Sequence, residues 1–291
     1  MKEVIEKAAV LIESLPYIQN FRNETVVVKF GGSAMENPSL FDSILQDIVF
    51  MECIGIRPVI VHGGGKAISR GMKASGPQAR FVNGLRVTCE KTIDVVAHVF
   101  RKEVNPRIVE TLQRFGAQAK GLPGEDVFRV ARLEQQDPET GKTIDWGYVG
   151  QPQSVAAAPV IEPTLHSVIP VVTPLGRDEN GKIHNMNADT AAAALAKSLS
   201  ARKLVYLTNV PGLLRDRDDP ASILTTLKAA DVESLIARNV IDGGMLPKIQ
   251  SGVDALHAGV KKVHMIDGNL PHSLLLEIFT DHGIGTEIVA D

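Results

Sequence analysis

Apolar residues recur at helical spacing at Val4, Ile5, Ala8, Leu11, Ile12 and Leu15, while Lys2, Glu3, Glu6, Lys7 and Glu13 fall on the other side. This spacing predicts an amphipathic N-terminal helix that Pro16 stops. It lies ahead of the first strand, so it extends the fold and leaves an apolar face to be covered. From Thr25 the pattern changes to short β-rich runs alternating with longer helical stretches. Thr25–Phe30, Arg57–Val61, Val168–Val172, Leu204–Leu207 and Lys262–Ile266 read as buried strands. Leu40–Cys53, Glu90–Phe115, Asp189–Ser200 and Met245–Ala258 read as helices, the second disturbed at Pro106. This alternation predicts an α/β fold, a three-layer α/β/α sandwich with a mainly parallel central sheet. Val127–Arg132 and Ile144–Gly150, separated by the polar turn Asp137–Lys142, predict an inserted hairpin and hence a mixed sheet. Three parts follow: an N-terminal helical extension over 1–20, a substrate-side half over 21–175 and a nucleotide-side half over 176–291.

The chain has 291 residues and 44% hydrophobic content, ample for a buried core without staples. Cys53 and Cys89 show neither CxxC nor Cys/His spacing, so no disulfide framework or zinc site is indicated and a reducing cytoplasm is the natural compartment. A net charge of -3 lacks the basic excess that nucleic acid requires. No apolar run reaches membrane-spanning length, and Glu3, Glu6 and Glu13 argue against a targeting signal. These features leave small ligands as the partners.

Two strand ends carry the strongest chemistry. Lys29-Phe30-Gly31-Gly32-Ser33 follows the first strand, and His62-Gly63-Gly64-Gly65 follows the second, just before a helical pattern. Glycines at a strand end let an anion approach backbone amides, and a helix start favours negative charge. In an open α/β sheet both loops should meet at the carboxyl ends of the strands. Arg86, in Asn83-Gly84-Leu85-Arg86-Val87-Thr88, can grip a carboxylate through two parallel hydrogen bonds. Asn185-Met186-Asn187-Ala188-Asp189 clusters two more amides and an acid before an alanine-rich helix, where Asn187 or Asp189 could also serve as a cap. Lys248 stands near another helix start. His62 is read as structural. Gly176–Ile183 has P-loop spacing, but Ile183 replaces the hydroxyl residue that magnesium needs, so this stretch reads as a polar surface hairpin. No Gly-x-Gly-x-x-Gly run supports a dinucleotide site.

In order along the chain, the blocks VVVKFGGSAM, RPVIVHGGGKAI, NGLRVT, HNMNADTAAAALA, KLVYLTNVPGLL, DGGMLPKI and LLLEIFTDHGIGTEIV resemble the amino-acid kinase family and, within it, the acetylglutamate kinases. They span most of Val26 to Val289. The resemblance implies ATP-dependent phosphorylation of the γ-carboxylate of N-acetyl-L-glutamate in arginine biosynthesis. It assigns Lys29 and Lys248 to the transferring phosphoryl group and Asp189 to holding both lysines. Gly32, Gly64 and Gly65 would offer amides to phosphate and substrate. Arg86 would clamp the substrate α-carboxylate, and Asn185 its acetylamino end. Thr208, Asn209, Val210, Gly212 and Leu213 would line the nucleotide site together with Gly32. Mg²⁺ would be carried mainly by nucleotide phosphates, with no protein metal cage. Such chemistry suits the residues, because a glutamate side chain with a pKa near ~4.3 is already ionised and requires charge compensation rather than a general base.

The N-terminal helix resembles that of the arginine-inhibited, hexameric type, in which such helices interlace dimers into a trimer of dimers. The tail would then receive L-arginine, with Tyr17, Lys203, His264, Glu277 and Gly285 as contacts. A PII-type regulator partners some members of the family, and these residues point neither to it nor away from it. Rival readings are a kinase for N-acetyl-L-2-aminoadipate or its carrier-linked form, one methylene longer, and a non-catalytic amino-acid sensor, which would be expected to have lost a lysine.

Overall fold

The computed structural model describes residues 2–76, 80–82, 85–136, 143–216, 218–279 and 283–290. Asn83 and Gly84, the expected turn Asp137–Lys142, and Thr280 of the tail lie outside the described residues. In chain order the elements begin with α1 (Lys2–Glu13), α2 (Leu15–Phe21), β1 (Thr25–Phe30), α3 (Pro38–Cys53), β2 (Arg57–His62) and α4 (Gly65–Ser75). Next come β3 (Arg80–Val82), β4 (Leu85–Val87), α5 (Glu90–Val99), α6 (Asn105–Arg114), β5 (Gln118–Leu122), α7 (Gly124–Val127), β6 (Phe128–Gln136) and β7 (Thr143–Val155). Then follow α8 (Ala158–Leu165), β8 (Val168–Val172), β9 (Leu175–Arg177), β10 (Ile183–Asn185), α9 (Ala188–Ser198), β11 (Lys203–Thr208) and β12 (Thr226–Lys228). The chain finishes with α10 (Val232–Ala237), α11 (Leu246–His257), β13 (Lys262–Asp267), α12 (Ser273–Ile278) and β14 (Thr286–Val289).

Eight strands form the main sheet in the order β12-β14-β13-β11-β1-β2-β8-β5. All neighbours are parallel except β13 and β14, so the sheet is mixed. Its two faces bury separate cores, because strand side chains alternate between faces. Val26, Val28 and Phe30 of β1 enter one core with Ile60 and Val205. Val27 enters the other with Val59, Leu204 and Tyr206. A strand buried on both faces must be apolar throughout, which is why β1, β2 and β11 read so plainly.

Two proline expectations need refinement. Pro16 does not end the helical course: after a one-residue break it occupies the first turn of α2, where a missing N–H costs nothing. Pro106 likewise opens α6, and the disturbance lies just before it as a π-turn over Phe100–Val104. The inserted hairpin is β6 and β7, paired antiparallel, but these strands join β9 and β10 in a small closed barrel rather than the main sheet. The P-loop-like stretch is the turn between β9 and β10, where Asp178 accepts from the amides of Asn180 and Lys182. Among the described residues no helix is long and apolar enough to cross a membrane.

Candidate active site

β1 and β2 run parallel with Phe30 opposite His62, so both glycine runs leave the carboxyl edge of the sheet side by side. They touch: Gly63 N–H donates to the Phe30 carbonyl at 2.8 Å, and a Cβ on Gly31 would lie 3.2 Å from the Gly63 Cα. At Gly64 a Cβ would come within 2.6 Å of the Phe100 ring, so only glycine lets α4 start there. Gly32 has φ +68°, a left-handed backbone that glycine adopts without strain. His62 is fully buried beneath the loop. Burial pushes it down to about 4, so it is neutral. Its Nδ1–H donates to the Gly63 carbonyl at 2.9 Å, and its Nε2 accepts from the Asn105 amide at 3.1 Å. This tautomer follows from the Asn105 donor, and it leaves His62 no lone pair for catalysis.

The centre is a buried carboxylate between two ammonium groups. Asn187 caps α9 by accepting from the Asp189 amide at 2.7 Å, which fixes the first turn. Asp189 therefore projects from the second helical position, where Lys29 Nζ, from β1, lies 2.8 Å from its Oδ1. Lys248 Nζ, from the first turn of α11, lies 2.5 Å from its Oδ2. Burial pushes the Asp189 carboxyl up, but the two lysines more than offset this and hold it below the ordinary carboxylate value. The trio carries one net positive charge, partly open to solvent through Lys248, whose side chain is 22% exposed. That is an arrangement for receiving an anion.

A cavity of about 230 Å³ is lined by two members of this trio, Lys29 and Asp189. Its lining includes Lys29, Gly64, Gly65, Asn185 and Asp189, and on β4 it includes Arg86. Arg86 is buried, and its guanidinium donates to the Gly65 carbonyl at 3.0 Å and to Ser69 Oγ at 2.9 Å. Burial lowers its pKa from the ordinary value, yet an arginine stays charged at neutral pH. Among the described residues it has no carboxylate partner. A buried cation without a counter-ion is costly, so the cavity calls for an anionic ligand there as well.

On the other side of Lys29, the loop after β11 crosses Gly32. A Cβ on Gly32 would lie 3.1 Å from Asn209 Oδ1. Ser33 Oγ donates to Asn209 Oδ1 at 2.9 Å, and Asn269 Nδ2 donates to the Asn209 carbonyl at 3.2 Å. The sequence reading missed both Ser33 and Asn269; only the adjacency of Ser33 to the glycine pair hinted at its place. Thr208 Oγ1 donates to the Val210 carbonyl at 2.6 Å and shapes the turn. Gly212 and Leu213 are drawn inward by Thr286, whose Oγ1 accepts from Leu213 N–H at 2.8 Å. The Leu213 side chain is packed in the core, so any contact it offers a nucleotide comes from its backbone.

The tail residues also meet, away from the cavity. Glu277 of α12 is bonded to His264 Nδ1 of β13 and accepts from the Ile284 amide at 3.1 Å, with Lys203 Nζ 3.9 Å away. Burial raises the Glu277 carboxyl, but the His264 bond and nearby charges bring it below its ordinary value. Tyr17 of α2 packs edge-on against Phe279 at 6.2 Å, and Lys203 Nζ stands 5.2 Å from the Phe21 ring centre. Gly285 is pressed against Met265, whose carbonyl would be 2.1 Å from a Cβ there.

Comparison with known proteins agrees with this arrangement. The profile of the amino acid kinase family matches residues 24–267. The acetylglutamate kinase of Akkermansia muciniphila is 45% identical over 99% of this chain and 97% of its own length. That of Heliobacterium modesticaldum is 46% identical over 99% and 100%. Among solved structures, N-acetylglutamate synthase from Neisseria gonorrhoeae, complexed with coenzyme A and N-acetyl-glutamate, superposes with a TM-score of 0.85 at 30% identity. The match covers 98% of this chain but only 63% of the synthase. Carbamate kinase from Giardia lamblia bound to AMP-PNP, at 16% identity and a TM-score of 0.66 over 92% and 99% of the two chains, shares the fold. A lysine pair on one buried aspartate, two touching glycine loops and near-full-length likeness to these enzymes together place the chain in the amino acid kinase family, among the acetylglutamate kinases.

Proposed function

We propose that the chain transfers the γ-phosphoryl group of ATP to the γ-carboxylate of N-acetyl-L-glutamate, giving the acyl phosphate, as an early step of arginine biosynthesis. The observation that carries this is the cavity lined by Lys29, Asp189 and Arg86: Lys248 pairs with the same Asp189, and among the described residues Arg86 has no carboxylate partner. Arg86 takes the substrate α-carboxylate, Asn185 the acetylamino group, and the amides of Gly64 and Gly65 face the reacting carboxylate. The attacking oxygen is already ionised, so no base is required. Catalysis is positioning together with neutralisation of two anions brought into contact. Lys29 and Lys248 supply that charge, and Asp189 prevents their mutual repulsion from driving them apart.

The nucleotide lies across Gly32 and the 208–213 loop. Mg²⁺ belongs on the nucleotide phosphates, because Asp189 is already engaged by two lysines and is not free to bind a metal. When bound, the ion adds further charge compensation to the phosphates.

Regulation by L-arginine is part of the same reading. The synthase from Neisseria gonorrhoeae, 29% identical with a TM-score of 0.79, has been solved complexed with coenzyme A and L-arginine. In this chain the Glu277 carboxylate can pair a guanidinium beside Lys203 and His264, close to Tyr17 of α2 and to Gly285. On α1, Ile5, Leu11 and Ile12 are 61% to 69% exposed, an apolar face that a second copy would cover. This supports a hexamer built as a trimer of dimers. A cytoplasmic location fits its two free cysteines. Retention of both lysines weighs against a non-catalytic sensor.

The direct test is hydroxylamine trapping of acyl phosphate from ATP with a panel of acylated amino acids. N-acetyl-L-glutamate should give the highest kcat/KM; preference for N-acetyl-L-2-aminoadipate, or no product at all, would overturn the assignment.

A further inference from the structure

Directly beneath α9 and α11, which carry Asp189 and Lys248, lies a buried pair of hydroxyls with no part in the reaction described so far. Tyr206 of β11 is fully buried in the core that α9 and α11 cover. Its hydroxyl lies 2.9 Å from Ser251 Oγ and 3.3 Å from the Asp189 carbonyl. Ser251, one turn into α11, donates to the Lys248 carbonyl at 3.0 Å. The two hydroxyls therefore join the backbone of the aspartate to the backbone of the second lysine.

Three contacts draw on two protons: Tyr206 donates to the Asp189 carbonyl or to Ser251, and Ser251 to the Lys248 carbonyl or to Tyr206, so in either direction both hydroxyls are engaged. Packing permits little slack around the ring. A Cβ on Gly252 would lie 3.0 Å from Val263 and 3.7 Å from Tyr206 Cε2. A phenol in so apolar a place is destabilising unless its hydroxyl is bonded. A phenylalanine would serve the core equally well, so the hydroxyl has another use.

We infer that Tyr206 and Ser251 are positioning residues that set the first turn of α11 against that of α9, and thereby hold Lys248 at the distance from Asp189 that phosphoryl transfer requires. Lys29 comes from β1 of the rigid sheet and needs no such brace. Lys248 is the third residue of α11, a few positions after the glycine pair Gly243-Gly244, and so depends on where that helix starts. A shift of the α11 start relative to α9 would move one lysine and leave the substrate cavity intact. This rests on the phosphoryl-transfer reading above, and the experiment separates the two.

Tyr206→Phe and Ser251→Ala should each lower kcat about five- to tenfold, the effect of losing one buried hydrogen bond. KM for N-acetyl-L-glutamate should stay within about twofold, because Arg86 and Asn185 are untouched. The double variant should be no worse than the more impaired single variant, and Ser251→Thr, which keeps the hydroxyl, should regain most of the activity. The second readout needs no turnover. The rate at which an amine-acylating reagent labels Lys248, followed by peptide mass spectrometry, should rise severalfold in Tyr206→Phe, with exposed Lys197 as the unchanged control. Unaltered kcat and unaltered Lys248 labelling in a folded Tyr206→Phe protein would overturn the inference. So would a fall in kcat accompanied by an equal rise in KM. A wild-type protein that makes no acyl phosphate would instead overturn the proposed reaction, and the labelling comparison would still decide the role of Tyr206.

Discussion

Two buried acids in this molecule are each held by two basic side chains, yet they are built for opposite purposes. Asp189 is flanked by two lysines, Lys29 and Lys248. Glu277 is flanked by His264 and, less closely, by Lys203. Burial pushes His264 below its ordinary value and so favours its neutral form. The first cluster also borders a cavity, whereas the second lies against α2 through Tyr17–Phe279 and Lys203–Phe21. Two cationic partners beside a cavity suit a centre that must meet phosphate; a histidine-containing cluster tied to α2 suits a control point.

Breaking the first cluster should have the largest effect. Lys29→Ala or Asp189→Ala should lower kcat by about 10²–10³, the usual cost of removing a preorganised charge from a transition state. Arg86→Lys keeps the charge but loses the fork. Its KM for N-acetyl-L-glutamate should rise by about ten- to a hundredfold with a smaller change in kcat, measured by ADP release.

How much of this contrast could be read in the chain depended on how local each feature is. β1, β2 and β11 were legible because they are buried on both faces and thus apolar at every position. β5, with sequence QAKGL, shows no such run, since an edge strand held by backbone bonds to β8 needs no continuous apolar face. The glycine loops, Asp189 and both lysines were marked by short motifs next to strand ends or helix starts. Tyr206 and Ser251 are 45 positions apart, and although Tyr206 lies in the KLVYLTNVPGLL block nothing in the sequence pairs it with Ser251; only the stacking of α9 and α11 on β11 brings them together. The barrel was hidden for a similar reason: the pairing of Asn185 with Val149 depends on the tertiary path.

Breaking the second cluster should leave the chemistry intact and change its control. Deleting residues 1–16 should yield active particles of dimer mass that L-arginine no longer inhibits, checked by light scattering and an inhibition curve. Unchanged mass and inhibition would remove the extension from the account. A smaller effect concerns stability. His264 has its folded pKa below its unfolded value near ~6.5, so its contribution is fully present above that value and is lost progressively as pH falls from about 6.5 towards the folded pKa. His264→Gln should therefore narrow the drop in thermal midpoint between pH 7.5 and pH 5.5, by differential scanning calorimetry. Asp189 has a depressed value too, but its contribution is lost only as pH falls below about 4, so Asp189→Asn should leave that drop unchanged. The smallest expected effect is at Ser33→Ala, which removes one hydrogen bond to Asn209 and should raise KM for ATP about fivefold.

The most direct measurement is hydroxylamine-trapped acyl phosphate from the Lys248→Ala protein, with circular dichroism establishing that it is folded and equilibrium binding establishing that it still takes up N-acetyl-L-glutamate. Bound substrate with turnover reduced by about 10² or more is the expected result. A folded, substrate-binding Lys248→Ala protein that turns over at the wild-type rate would show that the charge pair on Asp189 does not carry the reaction.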